Sequence, residues 1–431
     1  MESLSVGLFG LGTVGCGVVK VIENHQDKLI HQVGCPVKIK RALVQDLNKD
    51  RDVFVPEGFL TDNPEDILLD PEIDIIVEVM GGVEETKNYL SVALQQKKHV
   101  VTANKDLMAV HGPELLVLAS EHACDLFYEA SVAGGIPILR SLVDGLASDR
   151  IAKMMGIVNG TTNFILTKMT KEARSFEDVL SEAQQLGYAE ANPAADVEGL
   201  DAARKMAIMS TLGFSMKIDL DDVEVKGITD VTDDDLFYGK QFGYTMKLIG
   251  YAHRDGDSVE VSVQPTLIAD SHPLASVNDE FNAVYVYGEA VGETMFYGPG
   301  AGSMPTATAV VSDLVGVMKN MRLGVNGKSA VMPQYRKQLK KKAEKVSKFF
   351  IRFSIQDEVG VMAQVTTIFA KFGVSLEKVL QHPLADGKAE IVLVTHHASL
   401  EAFDRIMEEL KEVAAVLKVD STYRVEEGNL K

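Results

Sequence analysis

Residues 4–15 read LSVGLFGLGTVG: an apolar run from Leu4 to Phe9, then Gly10-Leu11-Gly12-Thr13-Val14-Gly15, then the amphipathic stretch CGVVKVIENH. This is G-x-G-x-x-G set between a strand pattern and a helix pattern, and that context is what makes the motif informative. Gly10 permits the tight turn, Gly12 lets a pyrophosphate approach the backbone, and Gly15 lets helix and strand pack closely. The helix start adds free N–H groups and the positive end of a dipole. A glycine turn without ligand is the competing reading. The place of the motif on the first strand favours a dinucleotide, with Gly10, Gly12, Thr13, Val14 and Gly15 as expected contacts.

Outward from this point the alternation continues. Residues 1–130 carry VKIKRALV, IDIIVEVM, HVVTAN and CDLFYEA, separated by amphipathic segments. Strands alternating with helices predict a parallel, doubly wound, Rossmann-like domain of the α/β class. The second strand pattern ends without an acid for a ribose 2′-hydroxyl; Asp46 comes two residues later, and Lys40 and Arg41 lie near the expected tip. A cation there suits a 2′-phosphate, so NADP is weakly preferred over NAD, although Arg41 could equally be an exposed strand charge.

Residues 131–325 mix helices with β-rich segments such as VEVSVQPTLI and AVYVYGEAVG, which predicts a central α+β domain. Within it GPGAGSMPT (298–306) lacks a P-loop ending and opens a helix at 304–323 expected to complete the first domain. Residues 349–431 read strand, helix, strand, strand, helix, strand, the order of a ferredoxin-like βαββαβ module. The intervening 326–348 contains Pro333 and a lysine run (Lys337, Lys340, Lys341, Lys342, Lys345, Lys348). It is expected to be a linker with a solvated connecting helix rather than a polyanion patch.

The chain has 431 residues and a net charge of −19, from 43 basic and 62 acidic side chains. That balance argues against nucleic acid or an anionic membrane as the main partner. No apolar run is long enough to span a bilayer, and the start lacks the basic region of a signal peptide. Cys16, Cys35 and Cys124 are an odd set without CxxC or Cys/His spacing, so neither disulfides nor zinc are expected. A cytoplasmic protein is the expectation. The acids from Asp219 to Asp235 lack the order of a calcium loop and read as loop and helix-cap acids.

From Leu186 the chain reads LGYAEANPAADVEGLDAARKMAIMSTLGF, a loop leading into a helix that ends near Gly213. Asp201 and Lys205 are i,i+4 and share a face of that helix. Their neighbours Leu200, Ala203, Ala207, Ile208 and Leu212 are apolar, which predicts burial. Spacing alone favours an ordinary ion pair. Desolvation and a second cation would instead lower a lysine's pKa and suit it to proton transfer near neutrality.

GLFGLGTVG, VVTANKDLMA, EASVAGGIPI, GIVNGTTNFI, LGYAEANPAADVEGLDAARKMAI and YGPGAGSMPTATAVVSDL together resemble homoserine dehydrogenase. FSIQDEVGVMAQVTTIFAKFGVS resembles the ACT domain carried by many bacterial members, and with the Rossmann motif at the very start the expectation is the monofunctional form. The resemblance implies reversible reduction of L-aspartate 4-semialdehyde to L-homoserine with NADPH or NADH, in threonine, methionine and isoleucine biosynthesis. It implies Lys205 as the proton-transferring lysine and Lys105 as a second lysine between cofactor and substrate. Asp201, Glu190 and Gly187 would bind substrate, and Thr13, Val14 and Gly302 the dinucleotide. Glu129, Val132, Gly134 and Ile136 match a sodium site built largely from backbone carbonyls. Asn159, Thr161 and Thr162 could line the pocket or simply form a turn. At the start of the last module Asp357 and Gly360 are expected to hold an amino-acid effector, threonine above all, in a homo-oligomer, dimer or tetramer. Two other readings are another NAD(P)-dependent amino-acid or semialdehyde oxidoreductase and a non-catalytic dinucleotide and amino-acid sensor.

Overall fold

The structure, a computed structural model, describes residues 3–328 and 332–428. The chain divides into two compact units, Met1–Met154 with Ala203–Val223 and Asn282–Lys337, and Met155–Ala202 with Glu224–Phe281 and Gln338–Lys431.

The first unit contains six strands: β1 (Leu4–Phe9), β2 (Val37–Leu43), β3 (Leu60–Thr61), β4 (Ile75–Glu78), β5 (His99–Thr102) and β6 (Leu126–Phe127). Their order is β3-β2-β1-β4-β5-β6, and every pairing is parallel. Chain order runs outward in both directions from β1, which makes the β1/β4 boundary a topological switch point. Val6, Leu8, Ile75, Ile76, Val77, Val100 and Val101 are fully buried. Burial on both sheet faces explains why these strands read as unbroken apolar runs. The helix Ser303–Leu323 sends Ala307, Val310, Leu314, Val317 and Met318 into the same core as β1 and the helix Thr13–Asn24. The two helices touch at Gly17, where an added Cβ would lie 2.6 Å from the Ser303 carbonyl oxygen.

In the second unit Tyr244–Asp255 and Ser258–Ala269 form a long antiparallel hairpin, paired from Tyr244↔Ala269 to Asp255↔Ser258. The terminal module is βαββαβ, with strands Val346–Gln356, Leu376–Pro383, Lys388–Thr395 and Val416–Glu426 and helices Val361–Lys371 and Leu400–Glu412. Ile351, Phe353, Ile391 and Leu393 pack under Val365, Phe369, Ile406 and Leu410. The module is joined to the hairpin edge to edge. Val416–Glu426 pairs in parallel with Ser258–Ala269 at Thr266↔Arg424, Leu267↔Val425 and Ile268↔Glu426.

A buried polar network crosses the same junction. Arg352 donates from Nε to Asp235 Oδ1 (2.9 Å) and from Nη1 to Glu390 Oε1 (2.8 Å). Asp235 also accepts from Tyr423 (2.8 Å) and Ser421, and Glu390 from Tyr238 (2.6 Å). Burial works to raise the Asp235 pKa, but the Ser421 hydroxyl, the Arg352 charge and the Tyr423 hydroxyl outweigh it and hold the carboxyl below its usual range. Asp235 and Thr232 form a capping box on the helix Asp233–Gln241, so this acid does serve as a cap.

The lysine segment departs from expectation. Residues 332–345 form no helix. The segment is extended: Val259 N–H donates to Gln338 O (2.9 Å) and Lys340 N–H to Val259 O (2.8 Å). Met332, Tyr335, Leu339, Ala343 and Val346 keep an i,i+3/i+4 spacing that a helix could use, but the strand edge at Val259 supplies backbone partners to the extended form instead. The lysines are then used singly: Lys340 is buried with Nζ 2.9 Å from His253 Nδ1, and Lys337 pairs with Asp219 (2.9 Å) and Asp222 (2.6 Å). Residues 329–331 of the expected linker lie outside the described residues. No helix among the described residues is long and apolar enough to cross a membrane.

Candidate active site

The glycine loop follows β1 at the switch point. Gly10 has φ +100°, and an added Cβ would lie 2.8 Å from Met80 Cα; at Gly15 it would lie 2.2 Å from the Gly10 carbonyl oxygen. Gly12 differs, because its added Cβ would meet nothing within 4 Å. Two glycines close the turn and the third opens it. Gly12 is also the N-cap of Thr13–Asn24 and no side chain caps that helix, so its first N–H groups remain suited to a phosphate. Ser303 Oγ donates to Thr13 O (2.7 Å), which brings Gly302, N-cap of the helix Ser303–Leu323 at φ +116°, beside the same loop. These residues fit a dinucleotide.

Arg41 lies inside β2, opposite Gly7, two residues before the strand ends at Leu43. Its guanidinium is 3.6 Å from Asp66, while Lys40 pairs with Asp70 (2.6 Å) and Glu72 (2.7 Å). The segment after the strand is Val44-Gln45-Asp46, where Asp46 Oδ1 accepts the Asn48 N–H at 2.8 Å.

Lys105 opens the helix Lys105–Glu121 after β5 and is half-buried. Asn104 caps that helix through the Leu107 N–H (3.0 Å) and donates to Gly82 O (2.6 Å). Behind it Thr102 hydrogen-bonds Glu78, the last residue of β4, which also accepts the N–H groups of Met80 (2.9 Å) and Gly81 (3.0 Å). Glu78 is fully buried, and burial raises its pKa against those donors. Glu78 and Asn104 shape the loops beside the glycine turn and were not singled out from sequence. The available signal was an acid inside the apolar run IDIIVEVM.

The helix Leu200–Phe214 carries Asp201 in its first turn and Lys205 one turn later. Asp201 is 4% exposed and accepts from Asn159 Nδ2 at 2.9 Å. Asn159 precedes the helix Gly160–Glu172, whose Thr161 hydroxyl donates to Tyr188 O (2.5 Å). That contact anchors the loop holding Gly187 (φ +78°) and Glu190, both exposed. The Glu190 carbonyl accepts from Gln184 Nε2 (3.1 Å).

The loop expected to hold sodium turns through Ala133 (φ +55°) and Gly134 (φ +54°). It lies against residues 299–300: Gly135 N–H donates to Pro299 O (3.2 Å), and a Cβ at Gly134 would lie 2.4 Å from Gly300 O. The Glu129 carboxylate takes the N–H groups of Leu139 (2.8 Å) and Arg140 (2.7 Å), and its own N–H donates to Asp313 (2.8 Å). Burial, then the nearby Asp313, pushes Glu129 up to about 7. The Ile136 carbonyl accepts the Ile138 N–H at 2.8 Å, and a carbonyl keeps a second lone pair after one such bond. The donor type therefore fits a hard alkali cation. Among the described residues no cluster of three or more His, Cys, Asp or Glu side chains is poised for a metal.

In the terminal module Gly360 (φ +93°) is the N-cap of Val361–Lys371, without a side-chain cap. Asp357 precedes it, its N–H on Gly387 O (2.9 Å) and its carboxylate accepting from Gln381 Nε2 (3.2 Å).

Residues 10–129 match the model of the homoserine dehydrogenase NAD-binding domain, 137–315 that of homoserine dehydrogenase, and 349–415 that of the ACT domain. A homoserine dehydrogenase of Bacillus subtilis is 63% identical across 100% of this chain and 99% of its own. The chain belongs to the homoserine dehydrogenase family. It is thus an oxidoreductase of amino-acid biosynthesis with an NAD-binding Rossmann domain and an ACT domain, and neither the alternative oxidoreductase nor the sensor is favoured. The Synechocystis homoserine dehydrogenase is 41% identical over 98% of this chain and 99% of its own. The crystal structure of a homoserine dehydrogenase from Thiobacillus denitrificans superposes with a TM-score of 0.93 at 36% identity, covering 99% of both chains. That of S. aureus homoserine dehydrogenase at pH 6.5 gives 0.80 at 42% identity, covering 100% of both.

Proposed function

We propose that this homoserine dehydrogenase interconverts L-aspartate 4-semialdehyde and L-homoserine with NADP(H), NAD(H) being the alternative carrier. The observation that carries this is the helix Leu200–Phe214, which presents a buried carboxylate, Asp201, one turn before a half-buried lysine, Lys205. When bound, the nicotinamide supplies the hydride that reaches the aldehyde carbon. Lys205 supplies the proton for the developing alkoxide and takes it back in the reverse direction. Lys105 adds positive charge toward that oxygen. Glu190 and Asp201 bind the α-ammonium group, with Gly187 backbone beside them, while Gly10, Gly12, Thr13, Val14, Gly15 and Gly302 hold the dinucleotide. A hyperthermophilic archaeal homoserine dehydrogenase, 25% identical with a TM-score of 0.61 over 74% of this chain and 98% of its own, is known in complex with NADPH.

The finer organisation follows the same proposal. Residues 1–130 with the helix at 304–323 bind dinucleotide, 131–325 bind substrate and dimerise, and 349–431 regulate. Carbonyls of Glu129, Val132, Gly134 and Ile136 hold a structural sodium ion. Threonine binds at Asp357 and Gly360, where uncapped N–H groups suit a carboxylate and Asp357 an ammonium, in a cytoplasmic homo-oligomer. The test is steady-state oxidation of homoserine with NADP+ and NAD+, with and without threonine. Turnover that responds to threonine supports the reading; no turnover with either carrier overturns it.

Two variants refine it. Glu190→Gln should raise the KM for homoserine about ten- to hundred-fold, because it removes one charge-assisted hydrogen bond of roughly 1.5–3 kcal/mol. An unchanged KM removes Glu190 from the site. Arg41→Ala should weaken NADPH far more than NADH if its guanidinium leaves Asp66 for a 2′-phosphate; equal losses, or none, reject that role.

A further inference from the structure

We propose that Asn159 is a positioning residue for substrate binding: its side-chain amide orients Asp201. The inference rests on the assignment of Asp201 to the substrate ammonium.

Asn159 does two separable things. Its Oδ1 caps the helix Gly160–Glu172, accepting from the Thr162 N–H (2.9 Å) and the Thr162 hydroxyl (3.0 Å). Serine or aspartate would cap a helix as well as asparagine. Only asparagine of these also has an NH2 group, and here Nδ2 is 2.7 Å from Asp196 Oδ1 and 2.9 Å from Asp201 Oδ2. Asn159 is 6% exposed and Asp201 4%, so the bond between them forms away from water, while Asp196 is half-buried. Two carboxylates drawn toward one point in a low dielectric repel each other, and each would favour its protonated form. An amide has two donors and no charge. It can hold both acids in place without bringing a charge of its own.

The same helix start holds the other acid's loop. Thr161 Oγ1 donates to Tyr188 O at 2.5 Å, and the Phe164 and Tyr188 rings lie 5.1 Å apart. An added Cβ at Gly160 would lie 2.7 Å from Glu280 O, so the turn itself is packed in position. One short turn, Asn159 to Thr161, thereby sets both Asp201 and the Gly187–Glu190 loop.

The experiment uses the full-length enzyme with homoserine and NADP+. Asn159→Ser keeps the cap and removes the amide. Its KM for homoserine should rise about ten-fold or more, while the KM for NADP+ and the melting temperature stay close to wild type. Combined with Asp201→Asn, it should add nothing further to the loss caused by Asp201→Asn alone, because the two act in series. Should the serine variant not fold, Asn159→Asp preserves shape and cap, and its KM should rise still further as a third carboxylate faces two. An unchanged KM for homoserine, a loss shared by both substrates in step with the melting temperature, or losses that multiply in the double variant would each overturn the inference. If wild type itself does not oxidise homoserine, the functional reading fails; if wild type turns over and Asn159→Ser matches it, only the role of Asn159 fails.

Discussion

Lys205→Ala should lower kcat by at least 10²–10⁴-fold, the contribution typical of a positioned general acid–base group, while NADPH binding stays intact. Removing the side chain takes away the proton source but leaves the glycine loop and the Asp201–Asn159 contact in place. Stopped-flow fluorescence of bound NADPH and steady-state kinetics across pH separate the two effects. A variant with near-normal kcat at every pH would move the proton transfer to Lys105, which stands at the start of the helix Lys105–Glu121.

Arg352→Met should be the most damaging substitution remote from the chemistry. Arg352 is 7% exposed and bridges Asp235, itself fully buried, and Glu390, also 7% exposed. Methionine fills similar volume but leaves two carboxylates buried without their cation. Breaking a buried pair in this way costs about 3–5 kcal/mol, on the order of ten degrees in melting temperature. The pH dependence has a definite sign. The Asp235 carboxyl is held below its ordinary value by the hydrogen bonds and the Arg352 charge that outweigh its burial. Its stabilisation is therefore complete above the unfolded pKa of about 3.9 and is lost as pH falls through the lowered folded value. Without Arg352 burial prevails, and acid unfolding should begin at higher pH. Calorimetry from pH 3 to 8 would show both effects; a melting temperature within two degrees of wild type would mean that the network carries little net energy.

The fold was legible where period and punctuation agree. β1, the glycine turn and the helix after it follow from LSVGLFGLGTVG because Gly10 and Gly15 are required by close approaches within the turn while Gly12 leaves it open, and the doubly wound order follows from strands apolar on both faces. The βαββαβ module was equally clear. The lysine segment was not, because a charged stretch can be a solvated helix or a strap on a strand edge, and only the presence of Val259 beside it decides. The part played by Arg41 was not legible, since a strand cation can pair with a neighbouring acid, here Asp66 at 3.6 Å, or meet a phosphate. Asp201 and Glu190 were singled out by their motif. Asn159 was legible as a turn residue, but its second role depends on Asp196 and Asp201, 37 and 42 residues away in sequence.

The parallel pairing of Thr266–Ile268 with Arg424–Glu426 sets a limit on modularity. A regulatory domain hung on a tether can be deleted, transplanted or exchanged between enzymes with little consequence for its host. This one continues the sheet of its host. Cutting the chain after Ser347 would uncover the edge of Ser258–Ala269 at Thr266–Ile268, a short template for association with other chains. A form without the proposed feedback is therefore better made by keeping the last strand and altering the turn from Asp357 to Gly360.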